Sequence, residues 1–315
     1  MKKAADMMNT KTIDCDNTLV VIIGPTAVGK TSISIAIAQL LQTEIVSADS
    51  RQFYRELQIG TAAPTEQERA IVPHHFVHNL SVFDSFNASD YEQQALSVVE
   101  NVFSKNKYCV VTGGSGLYID ALLYGFDNLP AACLDTRNSI EGVYASDGLP
   151  GLRMWLKKID PAFYAQVDLA NPNRIKRAIE VTLTSGMPYS ELRTKNHRKR
   201  PFTTKCIVLN RPRPELFHRI NQRVDLMVQQ GLIEEAIEYF AYRNLNALNT
   251  VGYKELFDWL SGSYSLQVAL EKVKTHTRRF AKRQLTWNRK YQDALWAHPD
   301  SMDEIMKFIQ SPPQQ

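Results

Sequence analysis

The stretch Leu19-Val20-Val21-Ile22-Ile23-Gly24-Pro25-Thr26-Ala27-Val28-Gly29-Lys30-Thr31 decides the fold. Its first five residues are apolar and mostly β-branched, with no polar position to face water. Such a run reads as a parallel strand buried on both faces. Gly24-Pro25 stops it. From Thr31 to Leu41 (TSISIAIAQLL) apolar side chains recur at Ile33, Ile37 and Leu40, a helical spacing. Between strand and helix, Gly24 to Thr31 fits G-x-x-x-x-G-K-[ST] at every required position. The glycines let the backbone curl so that several N–H groups face one phosphate. The helix adds the positive end of its dipole, Lys30 a full charge, and the Thr31 hydroxyl a ligand for Mg²⁺. The strand–loop–helix setting separates this phosphate loop from a chance turn.

Glu44–Ala48 (EIVSA), Tyr108–Thr112 (YCVVT) and Lys205–Leu209 (KCIVL) read as further strands. Helical stretches between them predict an α/β fold: a P-loop NTPase-like parallel sheet flanked by helices. About ninety residues between the third and fourth strands show helical patterns only, at Leu149–Ile159 and Asn173–Thr184. They predict a helical insertion over 128–200, splitting a core made of 19–127 and 201–310. Beyond the fourth strand the pattern looks helical to the end. Residues 1–18 read as a disordered lead-in and 311–315 as a frayed tail.

Cys15, Cys109, Cys133 and Cys206 are far apart and form no CxxC pair, which argues against a zinc site and for a reducing cytoplasm. No apolar run approaches the roughly 20 residues that cross a bilayer, and no secretory pattern follows Lys2 and Lys3. A cytoplasmic monomer with no membrane partner is expected. The net charge of +4 is uneven. Glu191–Arg213 holds eight Lys/Arg against one acid, Lys272–Lys290 holds eight against none, and the remainder is left at −11. One such run reads equally well as a solvated face. Two on an otherwise acidic chain point to a polyanion, nucleic acid first.

Most such loops bind ATP or GTP, with an Asp closing a second apolar strand to hold Mg²⁺. Here the third strand ends Val110-Val111-Thr112-Gly113-Gly114, and no guanine-reading N-K-x-D is present. An ordinary nucleotide hydrolase loses ground. Asp49 closes the second strand instead, in Ser47-Ala48-Asp49-Ser50-Arg51-Gln52. Ligands of open parallel sheets bind beyond the carboxyl ends of the strands, so Asp49 belongs on the edge of Lys30 and Thr31. It reads equally as a Mg²⁺ ligand, a proton acceptor or a helix cap. Gly113-Gly114-Ser115-Gly116 reaches the same edge, where the Ser115 hydroxyl can meet a phosphate oxygen.

In order, GPTAVGKT, SADSRQFYRELQIGTAAPT, HHFVHNL, GGSGLYIDALLYG, NPNRIKRAIEV, RPELFHRINQRVDLMVQQGLIEE, NTVGYKELFDWL and TRRFAKRQLTWNRK resemble the tRNA dimethylallyltransferase (tRNA isopentenyltransferase) family, from about Leu19 to Trp296. The resemblance implies transfer of a dimethylallyl group from dimethylallyl diphosphate to N6 of the adenosine 3′ of the anticodon. It assigns the diphosphate and Mg²⁺ to the loop amides, Lys30 and Thr31, and the adenine N6 to Asp49. For the tRNA anticodon stem-loop it implies Asp49, Ser50, Arg51, Gln52, Ser115 and Arg137. To these it adds Asn173, Arg174, Ile175, Lys176 and Arg177, then Asn249, Thr250, Val251, Gly252, Tyr253 and Lys254, and last Arg278, Arg279, Lys282 and Arg283. Arg219 and Arg223, four apart on one helical face, reach the diphosphate in this reading or act as surface ion-pair partners. Phe280, Trp287 and Tyr291 are expected on the packed face of their helix, and His74, His75 and His78 in packing or hydrogen bonding.

Two positions depart from the family pattern: Ser115 stands where Thr is usual, and Ala63 replaces the Lys of GTAKP. Nothing resembles the zinc finger of eukaryotic relatives, so the bacterial type is expected. Competing readings are a P-loop small-molecule kinase, an adenylate isopentenyltransferase, and a nucleic-acid-binding protein whose loop switches with nucleotide. The two basic runs and the insertion weigh against the first two.

Overall fold

The structure, a computed structural model, describes residues 17–127, 129–130, 133–194 and 198–312. The expected lead-in up to residue 16, the tail from 313, Cys15 and Lys195 lie outside these residues. In chain order the elements are β1 (Thr18–Ile23), α1 (Lys30–Leu40), β2 (Ile45–Ser47), α2 (Glu66–Ile71), β3 (His74–His75), α3 (Ala88–Phe103), β4 (Tyr108–Gly113) and α4 (Gly116–Tyr124). Next come α5 (Leu134–Ile159), α6 (Pro161–Tyr164), α7 (Pro172–Ser185) and α8 (Tyr189–Leu192). The chain returns with β5 (Thr203–Leu209), α9 (Arg213–Gln229), α10 (Leu232–Tyr239), α11 (Tyr253–Leu260), α12 (Leu266–Asn288), β6 (Leu295–Ala297) and α13 (Met302–Gln310).

Six parallel strands run in the order β3-β2-β4-β1-β5-β6. β1 is central: Val21 pairs with Val111 on one side and Cys206 on the other, and Leu19 to Ile23 are buried throughout. One layer of the core joins Val20, Ile22, Val110 and Ile207 to Ile37 of α1, Leu216 and Ile220 of α9, and Ile305 and Ile309 of α13. Each such side chain contributes about 1.5–3 kcal/mol as an upper estimate. Phe53, Phe76, Tyr91 and Tyr118 form a second, aromatic cluster with ring centroids 5.2–6.3 Å apart. Capping boxes open α2 (Thr65 with Glu68) and α3 (Asn87 with Asp90), so these helix starts were written locally.

β6 corrects the expectation of an all-helical C-terminal part. Leu295-Trp296-Ala297 is too short for a period-2 pattern, and only pairing with Ile207–Leu209 makes it a strand. The chain divides into two compact units, one of residues up to Leu123 and from Arg200, the other Tyr124–Lys199. The second unit is helical and has its own core, in which Leu152 and Leu156 of α5 meet Ile175, Ala178 and Ile179 of α7. Within α5, Gly148 (φ 63°) followed by Pro150 breaks the helical backbone.

Candidate functional site

The phosphate loop leaves β1 and enters α1. Gly24 (φ 155°) lies so close to β5 that an added Cβ would stand 2.6 Å from the Leu209 carbonyl oxygen, and Gly29 (φ 111°) is the left-handed residue that starts α1. Lys30 folds back over the loop and donates to the carbonyls of Gly24 and Pro25, each at 3.0 Å. Burial lowers its pKa to about 8, with Arg223 lowering it further and Asp49 acting the other way. Lys30 is therefore an electrostatic neighbour of both groups. Two arginines buttress the loop from outside: Arg219 Nε donates to Ala27 O and Arg211 Nε to Val28 O, both at 2.9 Å.

Arg223 lies one helical turn from Arg219 on α9. Burial and the neighbouring Arg219 charge lower its pKa, while Glu68 and Asp49 oppose them. No ion pair among the described residues holds its guanidinium. A desolvated cation beside Lys30 is a strong attractor for an anion. The surface ion-pair reading of Arg219 and Arg223 does not describe either residue.

β2 and β4 deliver the other wall. β4 passes β2 closely: a Cβ on Gly113 would meet the Ala48 carbonyl oxygen at 2.2 Å. Ser115 Oγ accepts the Ser50 amide at 2.9 Å and donates to Ser50 Oγ at 3.0 Å, and the Ser115 amide donates to Ala48 O. Asp49 Oδ1 accepts the Arg51 amide at 3.1 Å, while a Cβ built on Gly114 would stand 3.3 Å from Asp49 Oδ2. So Lys30, Asp49 and Ser115 occupy one edge, as the strand ends predict, and Arg223 of α9 is an electrostatic neighbour of Lys30 and Asp49 there.

The predicted RNA-contacting residues divide. Arg51 donates to the carbonyls of Asn246 (2.6 Å), Ala247 (3.2 Å) and Asn249 (3.4 Å), and so ties the Asp49 loop to the Asn249–Lys254 segment. Gln52 Nε2 donates to the Ala62 carbonyl at 3.1 Å. In the Asn249–Lys254 segment Gly252 takes φ 102° and caps α11, and Tyr253 is fully buried, with Asn249 and Lys254 exposed. In the helical unit Ile175 is core, and Arg137 and Arg177 share the buried Glu180 carboxylate at 2.6 and 2.7 Å. Lys176 pairs with Glu141 at 2.6 Å, while Asn173 and Arg174 are exposed near the start of α7.

On α12, Arg278 donates to Asn221 Oδ1 at 2.6 Å, whereas Arg279, Lys282 and Arg283 are exposed and pair with no carboxylate of the described residues. Phe280 is not on the packed face: it is 37% exposed, with the Arg283 guanidinium 5.7 Å above its ring. The packed stripe runs one residue later, through Ala281, Gln284, Asn288 and then Tyr291. His74 Nδ1 meets Val72 O at 2.7 Å and His75 Nε2 meets Glu44 at 2.6 Å.

The first basic run is partly internal. Arg200 pairs with buried Glu92 at 2.8 Å, Lys205 Nζ is held by Ser311 Oγ at 2.9 Å, and Arg211 pairs with Glu215 at 2.5 Å. Linear charge density could not show that direction. Two residues went unrecognised in the sequence. The Glu235 carboxylate accepts the amides of Gln58, Ile59 and Gly60 (2.9, 3.0 and 2.9 Å) and the Tyr253 hydroxyl (2.5 Å). Gln284 bridges the two loops of the site, accepting from Thr26 N at 2.8 Å and donating to Gly114 O at 2.9 Å.

A parallel sheet with a G-x-x-x-x-G-K-T loop at its carboxyl edge, faced by a carboxylate and a hydroxyl from neighbouring strands, defines a protein of P-loop-like fold. The family model described as IPP transferase matches residues 52–291. "tRNA dimethylallyltransferase 1" of Phocaeicola vulgatus is 45% identical over 295 residues, covering 94% of this chain and 98% of that protein. The solved full-length tRNA isopentenylpyrophosphate transferase of Bacillus halodurans is 35% identical with a TM-score of 0.67, covering 93% of this chain and 94% of that one. The tRNA delta(2)-isopentenylpyrophosphate transferase of Staphylococcus epidermidis is 31% identical with a TM-score of 0.66, covering 93% and 98%. The chain belongs to the IPP transferase family.

Proposed function

We propose that this protein is a tRNA-modifying prenyltransferase that moves a dimethylallyl group from dimethylallyl diphosphate to N6 of the adenosine 3′ of the anticodon. The carrying observation is the placement of Asp49. It stands at the end of β2 beside Lys30, while β4 ends in Gly113-Gly114 and offers no carboxylate of its own. A nucleotide hydrolase needs the opposite arrangement.

In the reaction the C1–O bond of the donor breaks and its electron pair leaves with diphosphate. The N6 lone pair forms the new C–N bond, and one N6 proton passes to Asp49. Lys30, Arg219, Arg223 and the loop amides of Gly24, Ala27, Gly29, Lys30 and Thr31 hold the growing negative charge of the leaving group. The Thr31 hydroxyl and the diphosphate oxygens are hard donors of the class Mg²⁺ takes, and the ion would supply further charge neutralisation there. Asp49 orients the amine and accepts its proton, a contribution of about 10²–10⁴-fold for a well-placed base. Ser115 holds the Asp49 segment through Ser50.

RNA is drawn by the exposed charges of α12, Arg279, Lys282 and Arg283, with Asn173 and Arg174 of the helical unit and Asn249 and Lys254 as further contacts. Extruding the base from a loop costs only a few kcal/mol. A cytoplasmic monomer suits this work, and no helix of the described residues is long and apolar enough to cross a membrane.

The test is incubation with dimethylallyl diphosphate, Mg²⁺ and either unmodified tRNA or free AMP, followed by nucleoside mass analysis. Isopentenyladenosine in the tRNA arm supports the proposal. Product in the AMP arm alone favours an adenylate isopentenyltransferase. No prenyl product in either arm, together with phosphoryl transfer in a third incubation with ATP and candidate metabolites, favours a kinase.

A further inference from the structure

Gln284 lies in the middle of the most basic stretch of the chain, yet it is 7% exposed. An amide side chain is costly to bury unless both its ends are paired. Here both are, and neither bond goes to its own helix. The oxygen takes the Thr26 amide of the phosphate loop, and the nitrogen gives to the Gly114 carbonyl of the β4–α4 turn. The reversed amide would set donor against donor and acceptor against acceptor, so the two partners fix its orientation.

The neighbourhood ties this bridge to the chemistry. A Cβ on Gly114 would stand 2.4 Å from Gln284 Nε2 and 3.3 Å from Asp49 Oδ2, so only glycine lets the amide approach the turn beside Asp49. One turn later Trp287 packs on Gly116, whose added Cβ would meet Trp287 Nε1 at 2.2 Å. The inner face of α12 is thus a plate on which both loops rest.

We propose that Gln284 is a positioning residue for prenyl transfer. Its amide sets the separation between the loop that holds the leaving diphosphate and the turn that carries Ser115 and supports Asp49. The inference rests on the function proposed above. A misplacement near 1 Å between reacting groups costs on the order of 100-fold in rate. Loss of the bridge should therefore appear in kcat rather than in binding.

Two variants test this. Gln284→Leu removes both bonds; kcat should fall by at least about ten-fold, with pyrophosphate and anticodon stem-loop affinities within about three-fold of wild type. Gln284→Glu keeps the acceptor, but only its protonated form can donate to Gly114 O. Its activity relative to wild type should rise as pH falls, while the Gln284→Leu ratio stays flat. A Gln284→Leu kcat within about three-fold of wild type overturns the proposal. So does a Gln284→Glu ratio that does not depend on pH, even if Gln284→Leu folds poorly. An active wild type in either case leaves the prenyl-transfer reading standing, whereas a wild type that makes no prenyl product overturns both.

Discussion

The Ser115 hydroxyl accepts the backbone amide of Ser50, the residue after Asp49, at 2.9 Å. A side chain from the β4 turn thus holds the segment that carries the proposed proton acceptor. Ser115→Ala leaves that amide unpaired and the Asp49 segment looser. Its kcat should fall about ten-fold with RNA affinity unchanged, since an unmet buried donor costs about 1–3 kcal/mol. Ser115→Thr restores the residue usual in the family and should match or exceed wild type. Steady-state prenyl transfer by the two variants decides this.

Lys30 carries a pKa lowered to about 8, mainly by burial. Anion binding needs the charged form, so the sign is fixed. Affinity for an anion whose own charge is fixed in this range, such as sulfate, should hold below pH 8 and fall as pH rises through that value. Binding near pH 8 should take up a proton, visible as a buffer-dependent enthalpy in titration calorimetry. An affinity that rises above pH 8 would contradict the placement of Lys30.

Arg51 spans from the Asp49 loop to three carbonyls near Asn249. Arg51→Ala should lower unfolding stability by about 1–3 kcal/mol, because hydrogen bonds from a charged donor are lost. Denaturant titration measures this directly. If Arg51 served RNA alone, stability would not change.

Glu235 gathers three amides and the Tyr253 hydroxyl. Glu235→Ala orphans those donors and should destabilise the fold by about 3 kcal/mol or more, again by denaturant titration.

Much of the core was legible because its signals are local. The LVVII run, the phosphate loop and the Asp49 strand end each occupy consecutive residues whose chemistry reads without a partner. The Gln284–Thr26 bond spans 258 residues and the Glu235–Gly60 bond 175, and no local pattern announces them. β6 is too short to carry a period. Charge was legible only as density: Arg200 and Lys205 count toward a basic run and yet point inward. Phe280 failed by one residue of helical phase, because small Ala281 takes the contact.

The exposed charges of α12 make a salt-dependent claim. Replacing Arg279, Lys282 and Arg283 together by Ala should reduce the slope of log affinity against log salt by about two to three for tRNA. Pyrophosphate affinity should stay the same.

Single-turnover prenyl transfer by wild type and Asp49→Asn, read as isopentenyladenosine by nucleoside mass analysis, tests the central claim most directly. Asparagine keeps the shape but cannot take the N6 proton. The rate should fall by about 10²-fold or more, with stem-loop affinity within about three-fold of wild type. An Asp49→Asn enzyme that transfers the prenyl group at the wild-type rate would contradict the role of Asp49 as proton acceptor.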